Sequence, residues 1–144
     1  MTEIEKQAKL HELEAEKQEA INNIARRKGE LRKKRMEEIT KATDAYCNQK
    51  RKTLAEIERI RGEKYNYGWG TQRRQEIEED AQREERKLSQ QKSEHEADLH
   101  GINARFATAM LALDNEERDA ISGFQWEKAA LWRDYVDEMK QAEQ

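Results

Sequence analysis

An all-α fold, a long antiparallel coiled-coil helical hairpin, is what this sequence predicts, and three observations predict it. Charged residues make up 41% of the 144 against 35% apolar, and proline is absent. So little apolar surface cannot fill a wide core against the entropy lost on folding. Disorder goes with proline and a large net charge, whereas here the net charge is only −3. Apolar residues recur at helical spacing on both sides of a single glycine-rich break. The result is one helical coiled-coil domain over residues 1–144, with arm one at 2–62, the turn at 62–71 and arm two at 72–141.

Arm one opens on Thr2 with Glu5 three residues later, the pattern of a reciprocal N-terminal cap. Its apolar positions are Ile4, Leu10, Leu13, Ile21, Ile24, Leu31, Ile39, Tyr46, Leu54, Ile57 and Ile60. Several lie eleven or fifteen apart, periods slightly longer than a helical turn requires, so this arm should be straight or slightly right-handed. Glu30/Lys34 and Glu37/Lys41 are favourably spaced ion pairs.

The turn contains Gly62, Gly68 and Gly70 with Asn66, and Thr71 is placed to cap the next helix. Arm two carries Ile77, Leu88, Leu99, Ile102, Phe106, Ala109 and Leu113, then Ala120 or Ile121, Phe124, Leu131 and Tyr135. Leu99, Phe106, Leu113 and Ala120 are heptad-spaced. Arm two is open to a break near Asp114, which has Glu117 three residues on, or near Gly123.

A turn centred on Asn66–Tyr67 makes residue i face about 133 − i. The acidic run Glu76, Glu78, Glu79, Asp80, Glu84 and Glu85 then falls opposite Lys50, Arg51 and Lys52, as opposite charges across a seam should. The same register leaves residues past about Trp132 overhanging arm one. The seam is thin around Arg35 and His95, which calls for self-association, as a dimer or higher oligomer, or for another protein to complete burial.

The composition argues against an enzyme, and no cofactor or metal is expected. His95 and His100 are five apart and do not share a helical face; the third histidine is His11. The carboxylates come in solvated runs without the apolar pockets that tune a general acid. Gly68-Trp69-Gly70 lacks the lysine and hydroxyl residue of a phosphate loop. Cys47 is the only cysteine, so no intramolecular disulfide is possible, and a lone thiol fits a reducing, cytoplasmic setting. The N-terminus has no basic and apolar leader pattern. No stretch reaches the ~18 apolar residues of a membrane span.

Two aromatic clusters are candidate partner-binding sites. Tyr65, Tyr67 and Trp69 fall in the turn, and Trp126, Trp132 and Tyr135 fall near the C-terminus with Phe124, Leu131, Val136 and Met139. Tyrosine and tryptophan dominate interface hot spots. The opposing reading of the first is rings closing the tip, and of the second is packing on the first turns near Ile4 and Leu10. A third candidate is the basic collar Arg26, Arg27, Lys28, Arg32, Lys33, Lys34 and Arg35, which nucleic-acid phosphates would suit. Its side chains wrap the whole helix without an interleaved aromatic, which favours a solvated, partly paired collar.

Leu131-Trp132-Arg133-Asp134-Tyr135, following Asp114 and Glu117, resembles the C-terminal W-x-x-Y helix of phage tail fibre assembly chaperones. That resemblance implies a viral assembly protein with Trp132 and Tyr135 on its client-binding face. A bare hairpin of this length is also similar in architecture to the FliJ-type stalk proteins of type III export machines. The function expected is thus that of a coiled-coil scaffold, adaptor, chaperone or stalk, cytoplasmic or incorporated into a larger assembly or virion. Electrostatic binding of nucleic acid through the collar is the alternative.

Overall fold

The computed structural model describes residues 2–143. Helix α1 spans Glu3–Glu63, a short 3-10 turn follows at Lys64–Asn66, and α2 spans Gln72–Glu143. Both long helices use good helix formers throughout and pack against each other as an all-α hairpin. No strand occurs among the described residues.

Helix ends follow local chemistry. Glu5 N donates to Thr2 Oγ1 at 3.1 Å while Thr2 N donates to Glu5 Oε2 at 3.3 Å, so two orphan backbone donors are satisfied. At the start of α2, Thr71 Oγ1 accepts from Arg74 N at 3.3 Å and donates to Gly68 O at 2.9 Å. Gly70 has φ +75°, which a residue bearing a side chain rarely adopts. Helix α2 runs unbroken through Asp114 and Gly123. Asp114 ties Lys28 of α1 at 2.7 Å instead of capping a new helix.

The chain divides into two units. The first comprises Met1–Lys33 and Phe106–Gln144. Ile24 and Leu113 are its buried aliphatic residues. Lys17 lies over the Phe124 ring at 4.5 Å, and Lys28 reaches Asp114 and Glu117 at 2.7 and 2.9 Å. Those two carboxylates hold the Lys28 ammonium above its ordinary range. Ala120 is half-buried while Ile121 is exposed, which settles which of the two faces the seam.

The second unit, Lys34–Arg105, holds the turn. Ile60, Ile77 and Ala81 form its most enclosed cluster, with Ile57 and Ile102 also buried. Each buried isoleucine contributes roughly 1.5–3 kcal/mol. Where apolar residues run out, other contacts substitute. Tyr46 stacks on His95 with centroids 4.5 Å apart, and Arg35 Nε donates to Asn103 Oδ1 at 2.8 Å. Thr53 is buried and its Oγ1 donates to Gln91 Oε1 at 3.2 Å. The seam at this level passes through Thr53, and Leu54, expected inside, is 45% exposed.

The register differs from the sequence expectation. Tyr46 meets His95, Lys17 meets Phe124 and Lys6 meets Tyr135, so residue i faces about 141 − i, not 133 − i. Helix α1 ends at Glu63 and α2 begins at Gln72, so the midpoint between the helix ends lies only about one residue beyond Asn66–Tyr67; the rest of the offset is set by packing, which encloses Ile60 with Ile77 and Ala81. The acidic run therefore misses Lys50, Arg51 and Lys52. Glu78 pairs with Lys64 at 2.9 Å and Arg61 at 3.6 Å, and Glu85 pairs with Arg61 at 2.5 Å. Within α1, Glu30 accepts from Arg26 at 3.1 Å and not from Lys34.

Candidate functional site

In the turn, Tyr65 is 82% exposed, Trp69 88% and Tyr67 42%. Among the described residues the three rings do not stack on one another; Tyr67 and Trp69 meet arginines of α2. Arg74 lies in the first turn of α2, three residues past its Thr71 cap, and is buried. Its guanidinium sits 3.8 Å from the Trp69 ring centroid, and its Nη1 donates to the Tyr67 carbonyl at 3.2 Å. One face of Trp69 thus covers a cation, and the rest of the ring meets solvent. Arg73 lies 6.0 Å from the Tyr67 ring, and the Tyr67 hydroxyl and then Glu76 hold its guanidinium above the ordinary range.

Beside Tyr65, the last turns of α1 form an open groove of about 600 Å³ lined by Leu54, Ile57, Glu58, Arg61, Gly62 and Tyr65. A side chain added at Gly62 would meet nothing within 4 Å. Helical periodicity does not reveal this groove, because Leu54 reads as a seam residue until the register is known.

The C-terminal aromatics are arranged differently. Trp132 and Tyr135 sit edge to face with centroids 6.2 Å apart. The Lys6 ammonium lies 3.7 Å from the Trp132 ring and 4.4 Å from the Tyr135 ring, and Lys6 is only 4% exposed. Glu3 completes the enclosure, 3.3 Å from the Lys6 Nζ. The Tyr135 hydroxyl donates to the Glu3 carboxylate, which lowers the acid's pKa and raises that of the phenol. The eight-residue register shift brings these rings onto the first turns of α1, so the overhang expected past Trp132 does not form there. Their partners are Lys6 and Glu3; Ile4 is 82% exposed. A lysine was not foreseen as an apolar anchor, and only the register could have pointed to it. Trp126 stands apart, 72% exposed on a shallow surface with Ser122, Gln125 and Ala129.

Four of the collar's seven cations are engaged within the chain. Arg26 pairs with Glu30, Arg27 with Glu116 at 2.9 Å, Lys28 with Asp114 and Glu117, and Arg35 with Asn103. Arg32, Lys33 and Lys34 are exposed. Among the described residues no group of three or more His, Cys, Asp or Glu side chains could hold a metal ion. Nor is any helix among them long and apolar enough to cross a membrane.

No family model matches the chain, and neither a curated protein nor a solved structure matches it significantly.

Proposed function

We propose that this chain is a non-catalytic coiled-coil assembly protein, a scaffold, adaptor, chaperone or stalk, that works through protein contacts made at the hairpin turn. The observation that carries the reading is the exposure of Tyr65 and Trp69, 82% and 88%, on a turn fixed by the Thr71 cap and the Arg74 contacts. Aromatic side chains held in place lose little entropy when a partner covers them, which is what an interface anchor needs. The C-terminal aromatics, in contrast, already enclose Lys6. Phage tail assembly and a type III export stalk are two settings that would use such a device.

The test is affinity capture from the native source with wild type, a Tyr67→Ala/Trp69→Ala variant and a Trp132→Ala/Tyr135→Ala variant. A stoichiometric protein lost with the turn variant and kept with the other supports the reading. Recovery of the chain alone, or of partners indifferent to the turn variant, refutes it.

A further inference from the structure

Both long helices begin with a threonine cap, but their first turns differ in charge. Helix α1 carries Glu3 and Glu5 there, which suits the positive end of a helix dipole. Helix α2 carries no acid in its first turn. It opens Gln72-Arg73-Arg74-Gln75, with two cations where the dipole repels them. Arg73 has Glu76 at 3.4 Å. Arg74 is the buried one, 9% exposed, and among the described residues it has no carboxylate partner. A buried charge is ordinarily paired, because leaving water costs it more than any neutral contact returns.

The bond that Arg74 does make shows which of its donors are left. Its side chain points back past the start of α2, as long helical side chains do. There Nη1 donates to the Tyr67 carbonyl, and the guanidinium lies against the Trp69 ring. Nε is buried and has no hydrogen-bond partner. Among the described residues Nη1 is the one atom of the group with an acceptor. Nε and Nη2 form the edge of the guanidinium that grips both oxygens of a carboxylate. The same turn of helix offers backbone donors. Thr71 satisfies two of them, its Oγ1 taking Arg74 N and its carbonyl taking Gln75 N. The amides of Gln72 and Arg73 remain, at a helix end suited to anions. We infer that the start of α2 receives a carboxylate of the partner protein, an Asp or Glu side chain, through the Nε/Nη2 edge of Arg74 and these two amides. The inference rests on reading the turn as the end that makes contacts, and it names the chemistry of what is contacted. One uncompensated cation calls for one negative charge, which a carboxylate supplies and a phosphoryl group, near −2, exceeds. Trp69 is 88% exposed, so a partner that covers the ring also shields the ion pair from water.

The experiment follows the nitrogen-labelled full chain by NMR at fixed ionic strength. It is titrated with an end-capped hexaglutamate peptide, with inorganic phosphate and with chloride. Hexaglutamate should bind saturably and shift the amides of Gln72 and Arg73 and the Arg74 Nε–H, all of which chloride should leave in place. The wild-type Nε–H signal reports on the fork without any substitution. Arg74→Lys keeps the charge and loses the fork, and should weaken binding about tenfold. Arg73→Gln loses a charge and keeps the fork, and should weaken it less. Simple charge attraction predicts the reverse order. In both variants the amide signals outside the turn should stay where they are in wild type. The inference is overturned by the absence of a saturable shift beyond that of chloride, by phosphate binding more tightly than hexaglutamate, or by a larger loss from Arg73→Gln than from Arg74→Lys. A captured partner that depends on Tyr67 and Trp69 yet tolerates Arg74→Lys also overturns it, and leaves the reading of the turn standing. Hexaglutamate binding without any turn-dependent partner does the opposite: the carboxylate site stands and the reading of the turn falls.

Discussion

A buried cation faces a tryptophan in each unit of the molecule, at nearly the same distance, with different consequences. Arg74 stands 3.8 Å from Trp69, and Lys6 stands 3.7 Å from Trp132. In the turn, the cation has one ring and a backbone carbonyl, and the aromatic remains 88% exposed. At the termini, two rings and a carboxylate surround the ammonium, and Trp132 is 46% exposed. The turn has an aliphatic cluster beneath it, Ile60, Ile77 and Ala81, that holds the helices without the aromatics. Among the described residues the termini have no such cluster, so the aromatics and Lys6 do the fastening. An aromatic cluster is free to serve a partner where something else already closes the seam.

The strongest way to break this contrast is to remove the aliphatic cluster. Ile77 is 1% exposed, and Ile77→Ala should cost about 2–4 kcal/mol, read as a lower melting temperature by circular dichroism. Hydrogen exchange should accelerate first around residues 57–81. If the turn keeps its protection, the cluster is not what holds it.

Lys6→Met keeps the aliphatic stem and removes the charge. The loss should be about 1 kcal/mol, with faster exchange in residues 3–10 and 128–139 and none in the turn. A stability equal to wild type would show that the rings need only the stem.

Tyr65→Ala should change stability by no more than about 0.5 kcal/mol, because the ring is 82% exposed. The same substitution should weaken the capture of any partner that covers the turn. A large stability loss would mean the ring is structural and would erase the contrast.

The smallest effect is that of pH. A hydrogen bond from Lys64 lowers the Glu78 pKa in the turn unit, and one from Tyr135 lowers that of Glu3 at the termini. A carboxylate with a lowered folded pKa adds stability that is present above its unfolded value, near 4.5, and lost as pH falls through the folded one. Melting temperature should therefore decline as the solution is acidified below about 4.5. Glu78→Gln should flatten this slope through the turn unit, and Glu3→Gln through the terminal one.

Sequence alone determined the features set by neighbours along the chain. Helical period and composition specify two long helices, glycines near Asn66 specify a reversal, and Thr2/Glu5 and Thr71 specify caps, since these depend on residues three or four positions apart. It also located both aromatic clusters and the collar. Register lay beyond it. Gly62 is compatible with either a helix or a turn, and each residue by which the turn's centre moves shifts the facing position by two. Packing of Ile60 with Ile77 and Ala81 decides which positions of the two helices face each other. That choice sends Leu54 to the surface, gives Arg61 and Lys64 their carboxylates, and seats Trp132 and Tyr135 on Lys6. Which aromatics are spent inside the fold and which remain for a partner was decided by tertiary structure, because exposure depends on what lies across the seam.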